Sequence, residues 1–228
     1  MCYQVLVMAR TKALAKPTRA AAASATSGPK RAQKRVDKRE RIRDAAWSLF
    51  NELGYAATTT KKIAQRAGVA SGTLFLYADD KPDLLFLVFH ERLRAAVDEA
   101  RGSLPKGAGF LDQLLHIFGG VFRMYAESPA LAGEFVRALP GATGRNAQDT
   151  NAFTFGFLAH LAHLVREAQK TGELDPRVDP LLAARNIFSL YFGALLSWIM
   201  GLAPTVEAAL DPVLRTSLAL QMSGLAKK

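Results

Sequence analysis

Cysteine is almost missing from this chain. Cys2 is the single one among 228 residues, so no disulfide can close within the chain and no cluster of thiolates can hold zinc. Histidine is nearly as scarce, with four. His160 and His163 stand three apart, but a metal needs at least a third ligand. These rings therefore read as core or cavity-rim histidines, and no metal or other cofactor is expected. Absent too are G-x-S-x-G, H-E-x-x-H, a P-loop and G-x-G-x-x-G, the local signatures of common hydrolases and nucleotide-binding enzymes. An enzyme is not expected. Long apolar runs are confined to Ile187–Ala203, roughly 17 residues at the lower end of a membrane span. Ser189, Tyr191, Gly193 and Ser197 interrupt that run, which makes it a buried helix and not a membrane segment. The apolar opening Met1–Met8 is too short for a secretory h-region, so a cytoplasmic protein without a membrane anchor is expected.

Acidic charge is missing from one end. Residues 1–43 hold twelve Lys and Arg against only Asp37 and Glu40, and the rest of the chain balances 18 basic with 18 acidic residues. The net charge of +10 thus belongs to an N-terminal arm, and such an arm seeks phosphate. Residues 9–36 are rich in Ala, Lys, Arg, Ser, Thr and Pro without apolar periodicity, which predicts that residues 1–36 are disordered.

From Asp37 onward the chain is patterned. Ile42, Ala45, Ala46, Leu49, Phe50 and Leu53 fall on one helical face that Gly54 terminates. Further helices are predicted at about 60–67, 71–77 and 81–101, then at 109–127, 129–138, 147–171, 179–201 and 205–225, divided by glycine and proline. No run alternates as a strand would. The fold class is therefore all-α: a three-helix domain over 37–83, then a larger helical domain over 84–228.

Within Thr58–Leu85 the residues meet the demands of a helix-turn-helix: Ala64 where two helices cross, Gly68 for a left-handed turn, and Ile63, Val69 and Leu74 as anchors. The short helix from Ser71 presents small residues at its N-terminal end, as a helix entering a major groove requires. This stretch resembles the tetracycline-repressor (TetR) family in Thr58-Thr59, Ile63-Ala64, Ala67-Gly68-Val69, Gly72-Thr73-Leu74, Tyr77, Lys81 and Leu84-Leu85. The resemblance implies a transcriptional regulator, most often a repressor released from its operator by a small effector. It also implies that Ser71, Gly72, Thr73 and Phe75 face bases and that Thr59, Lys61, Lys62, Tyr77 and Lys81 contact phosphates. Ala70, Phe75 and Ala78 depart from the family's usual serine, tyrosine and phenylalanine. They feed a second reading, a helical binding protein that no longer reads DNA. With Ala at position 70, the cap of the recognition helix is expected to pass to Ser71.

Residues 109–171 are dense in aromatic side chains, so an apolar or aromatic effector is expected. The residues assigned to its pocket are Phe118, Phe122, Tyr125, Phe157, His160 and Trp198. The last two helices offer more apolar surface than one fold buries. A homodimer through about 179–225 is expected, reading the two halves of a palindromic double-stranded DNA operator.

Overall fold

The computed structural model describes residues 28–225, with side chains from residue 32. The start of the basic arm, Cys2 and the choice between Met1 and Met8 lie outside the described residues. All the regular structure there is helical: α1 (Gly28–Leu53), α2 (Thr60–Arg66), α3 (Ser71–Leu74), α4 (Lys81–Gly102), α5 (Phe110–Ala126), α6 (Pro129–Ala138), α7 (Arg145–Lys170), α8 (Pro180–Ile199), α9 (Val206–Ala208) and α10 (Arg215–Leu225). The fold is all-α.

Two predicted boundaries are corrected. The first helix begins at Gly28, nine residues before the patterned segment, so residues 28–36 are helical and not part of a disordered arm. Ala, Lys, Arg and Gln dominate these turns, and such side chains lose little freedom in a helix. Val36 is half exposed, so no apolar face was there to betray the helix. The single helix expected over 205–225 is broken. Asp211 is extended (φ −141°, ψ 116°) ahead of Pro212, and a widened turn over Ala209–Leu214 joins α9 to α10. Proline removes a backbone donor and bars its predecessor from the helical region, which accounts for the break.

Residues from Lys38 onward form one compact unit. The boundary expected at 83/84 falls in the first turn of α4, which continues from the helix-turn-helix into the larger bundle. Leu84–Phe89, six consecutive residues of α4, are all buried. A helix apolar all round must be wrapped on every side, and α4 packs against α5, α6 and α7. Burial of Ile42, Ala46, Leu49 and Phe50 on α1, Ile63 and Ala64 on α2, and Leu74 on α3 closes the small domain at the head of the same core.

Candidate nucleic-acid interface and apolar cavity

The threonine pair divides two tasks. Thr58 is fully buried, and its hydroxyl lies 2.9 Å from the carbonyls of both Leu49 and Gly54, which binds the loop to the end of α1. Thr59 caps α2 by accepting from the Lys62 N–H at 3.2 Å. A hydroxyl that accepts there still has a proton to donate to a phosphate oxygen. The turn after α2 rests on Gly68 at φ +64°, a left-handed conformation that costs glycine least. The Val69 N–H then closes on the Ala64 carbonyl at 3.0 Å, launching α3 across α2.

The α3 surface is open. Ser71 and Gly72 are exposed, Thr73 is half-buried, and Leu74 alone is in the core. Phe75 is 45% exposed and Leu76 67% exposed, so Phe75 is a surface ring and not a core substitute. The expected shift of the cap to Ser71 does not occur: Ala70 is the N-cap, without a side-chain bond, and Ser71 is the first helical residue. Its hydroxyl is thereby left on the outward face. Leu76 was not foreseen; two successive apolar residues at the end of a recognition helix were its signal.

The basic residues differ in freedom. Lys61 is exposed; Lys62 leans to the Ala57 carbonyl at 3.4 Å. Lys81 is half-buried, its ammonium 4.4 Å from the Tyr55 ring centre and 3.1 Å from the Ala56 carbonyl. Burial pulls its pKa down, opposed by Glu134. Tyr77 is half-buried and packs on the core. Arg66 is held on α1 by Glu52, with Nη to carboxylate distances of 3.0 and 2.9 Å.

A second feature lies in the bundle. A mostly apolar cavity of about 70 Å³ is lined by α4, α5, α6, α7 and α8. Thr150, Phe153, Thr154 and Phe157 of α7 line it, as do Phe188, Tyr191, Phe192 and Leu195 of α8. Both sets run at i, i+3, i+4, i+7, one stripe on each helix. Of the pocket residues expected from sequence, Tyr125 and Phe157 are on the wall. Phe118, Phe122, His160 and Trp198 are not. Phe118 stacks on Tyr191 at 4.6 Å and Phe122 meets it edge-on at 5.7 Å, so these rings back the wall. His160 is half-buried outside the lining, and burial, then Arg101 and His163, lowers its pKa. Trp198 lies on the last turn of α8, below the stripe. The polar groups of this wall are the Thr150 and Thr154 hydroxyls, bonded to the carbonyls of Asn146 and Thr150, and the buried hydroxyls of Tyr125 and Tyr191, which pair with each other; burial raises both tyrosine pKa values above the usual range.

His163 meets Glu167 at 3.8 Å, a carboxylate one turn further along α7 that the sequence reasoning missed. Among the described residues, no three His, Cys, Asp or Glu side chains converge on a point. By length and composition α8 could cross a membrane, and with only 33% of its most apolar window buried it is not the buried helix expected from the sequence.

Comparison with known proteins agrees with this geometry. Residues 42–88 match the family of bacterial regulatory proteins, tetR family. The chain is similar to the fatty acid metabolism regulator protein of Bacillus subtilis, 29% identical over 159 residues that cover 70% of this chain and 82% of the relative. Two solved structures share the fold. One is the transcriptional regulator FadR from Bacillus subtilis in complex with stearoyl-CoA, at 27% identity and TM-score 0.64, covering 82% of this chain and 98% of that one. The other is Thermus thermophilus FadR, a transcriptional repressor in complex with lauroyl-CoA, at 26% identity and TM-score 0.67, covering 83% and 96%. The match over residues 42–88 gives the chain a DNA-binding domain like that of the tetR family, and with the similarity over most of the chain and the shared fold it makes the protein a DNA-binding transcriptional regulator.

Proposed function

We propose that the protein is a cytoplasmic repressor that binds a palindromic operator as a homodimer and leaves it when a fatty acyl thioester enters the bundle. The observation that carries the effector class is the paired, largely aromatic stripe of α7 and α8 around a cavity whose polar groups are two threonine hydroxyls bonded back to their own helix and the Tyr125–Tyr191 pair. Such a wall suits a methylene chain with one polar point to orient it. FadR structures solved with stearoyl-CoA and lauroyl-CoA support the same class. The cavity of about 70 Å³ is a small fraction of the roughly 300 Å³ at which ligand pockets begin. An acyl chain therefore has to part α7 from its neighbours, and that displacement is the signal.

The α8 surface supports the dimer. Leu181, Leu182 and Met200 are exposed, as are Val213 and Leu220 beyond it. A soluble helix so apolar and so little buried is covered by a partner, and two-fold pairing sets two short recognition helices one DNA turn apart. Sedimentation is expected to show a species of twice the 24.7 kDa of one chain; a stable monomer at micromolar concentration contradicts the pairing.

Selection of fragments from a genomic DNA pool tests the regulator reading. The purified protein should enrich a two-fold symmetric sequence, and far less of it when lauroyl-CoA is present. A pool without enrichment contradicts operator binding.

A further inference from the structure

The N-terminal turn of α7 touches the DNA-binding domain at α1, at the turn after α3 and at the start of α4. Arg145 donates to the Leu76 carbonyl at 2.7 Å from Nη1 and to Asp79 at 2.9 Å from Nε, and its own N–H reaches Asp79 at 3.0 Å. Asn146 donates from Nδ2 to the Tyr77 carbonyl at 2.8 Å and to Asp83 Oδ2 at 2.9 Å, and its Oδ1 accepts from Arg39 of α1 at 3.3 Å. Asp83 is 2% exposed, and its carboxylate also accepts the N–H groups of Asp79, Asn146 and Ala147 at 3.0, 2.9 and 3.2 Å. One buried carboxylate thus caps α7 and fixes the turn between α3 and α4 at once. Gly144 is obligatory, because a Cβ there would overlap the Asp83 carboxylate.

The same helix walls the cavity. Thr150 stands one turn after Asn146, its hydroxyl donating to the Asn146 carbonyl at 2.9 Å, and Phe153 follows. A helix packed along its length moves as a rod, so an outward push at Phe153 and Phe157 arrives at Arg145 and Asn146 about two to three turns away.

We infer that Gly144, Arg145 and Asn146 form a latch that positions the recognition helix for its operator and that effector entry opens by displacing α7. This rests on the effector reading above. These are positioning residues; the latch is their hold on Asp79, Asp83 and the carbonyls of Leu76 and Tyr77. With the latch open, the C-terminal end of α3 loses two side-chain donors and the α3–α4 turn loses its buried anchor. By reciprocity, whatever the effector does to the latch, the latch does to the effector: a protein without it binds the effector more tightly in the absence of DNA.

The test uses the full chain and lauroyl-CoA. Arg145→Ala changes a half-exposed ion pair and leaves the core intact; Asn146→Ala strikes the buried part. For each, operator affinity is measured with and without lauroyl-CoA, lauroyl-CoA affinity is measured without DNA, and the melting temperature reports folding. Operator affinity without effector is expected to fall about tenfold, the release ratio to shrink by a similar factor, and lauroyl-CoA to bind several-fold tighter. A residue important only for folding would weaken effector binding instead. In a cycle with Asp79→Ala, the double variant should cost less than the sum of the two single variants, because the two side chains share one interaction. Folded variants with wild-type operator affinity and wild-type release ratio overturn the latch. Failure of lauroyl-CoA to release the wild-type protein overturns the effector reading instead, and the latch is then decided by the effector-free affinities.

Discussion

Gly72 has no heavy atom within 4 Å of the place where a Cβ would stand. The folded protein alone therefore tolerates a side chain there, and any penalty arises against DNA. Gly72→Val is expected to keep the wild-type melting temperature and lose operator binding. Phe75→Ala should likewise melt normally, because the ring is 45% exposed. It should cost about 1 to 3 kcal/mol on the preferred operator and relax one base pair, as removal of a thymine-methyl interaction does. A lower melting temperature with unchanged base preference would move Phe75 off the reading surface. Tyr125→Phe acts in the opposite place: it strands the Tyr191 hydroxyl in a buried wall, at about 1 to 3 kcal/mol of stability read by urea unfolding. At this scale the sequence was legible where backbone geometry is strict, at Gly68 and Leu74. It was less so for the cavity. Which aromatics line the void depends on how the stripes of α7 and α8 face each other, and Phe118 and Phe153 are indistinguishable until those helices are placed.

Between elements, α1 and α2 are joined by Glu52 and Arg66. Hydrogen bonds from Arg66 and then Ser48 hold the Glu52 carboxyl at about 2, below its ordinary 4.5. The folded-state pKa is depressed, so the tie is complete above pH 4.5 and is lost as pH falls from 4.5 toward 2. Wild type should therefore melt above Glu52→Gln at pH 6, with the difference closing across that window; a constant difference would mean the carboxylate charge is irrelevant. The arm makes an electrostatic prediction. Removing residues 1–27 deletes Arg10, Lys12, Lys16 and Arg19. For every phosphate that these cations no longer neutralise, the slope of log K against log salt should shrink by about 0.9, without any change in base preference. An unchanged slope would exclude the arm from the DNA interface. The two misplaced boundaries have opposite causes. The front of α1 has no apolar face to read, because propensity alone makes it a helix, whereas the break at Pro212 has a plain local signal in the proline itself.

For the whole molecule, reading DNA and sensing a ligand meet in one continuous core. α4 runs from the helix-turn-helix into the bundle, and α7 carries the cavity wall at one level and grips the recognition helix at another. The class of fold and the regulator function were legible because the helix-turn-helix motif is dense and its spacing rigid. Coupling was not, since Asp83 and Asn146 lie 63 residues apart and no local pattern joins them. The most direct measurement is a titration of lauroyl-CoA into a complex of the protein with its labelled operator, followed by fluorescence anisotropy, with coenzyme A lacking the acyl chain as control. Lauroyl-CoA should lower operator affinity about tenfold or more, while the control leaves it unchanged, because only a ligand that distinguishes the two conformations shifts them. An operator held equally tightly at saturating lauroyl-CoA and stearoyl-CoA would contradict the account.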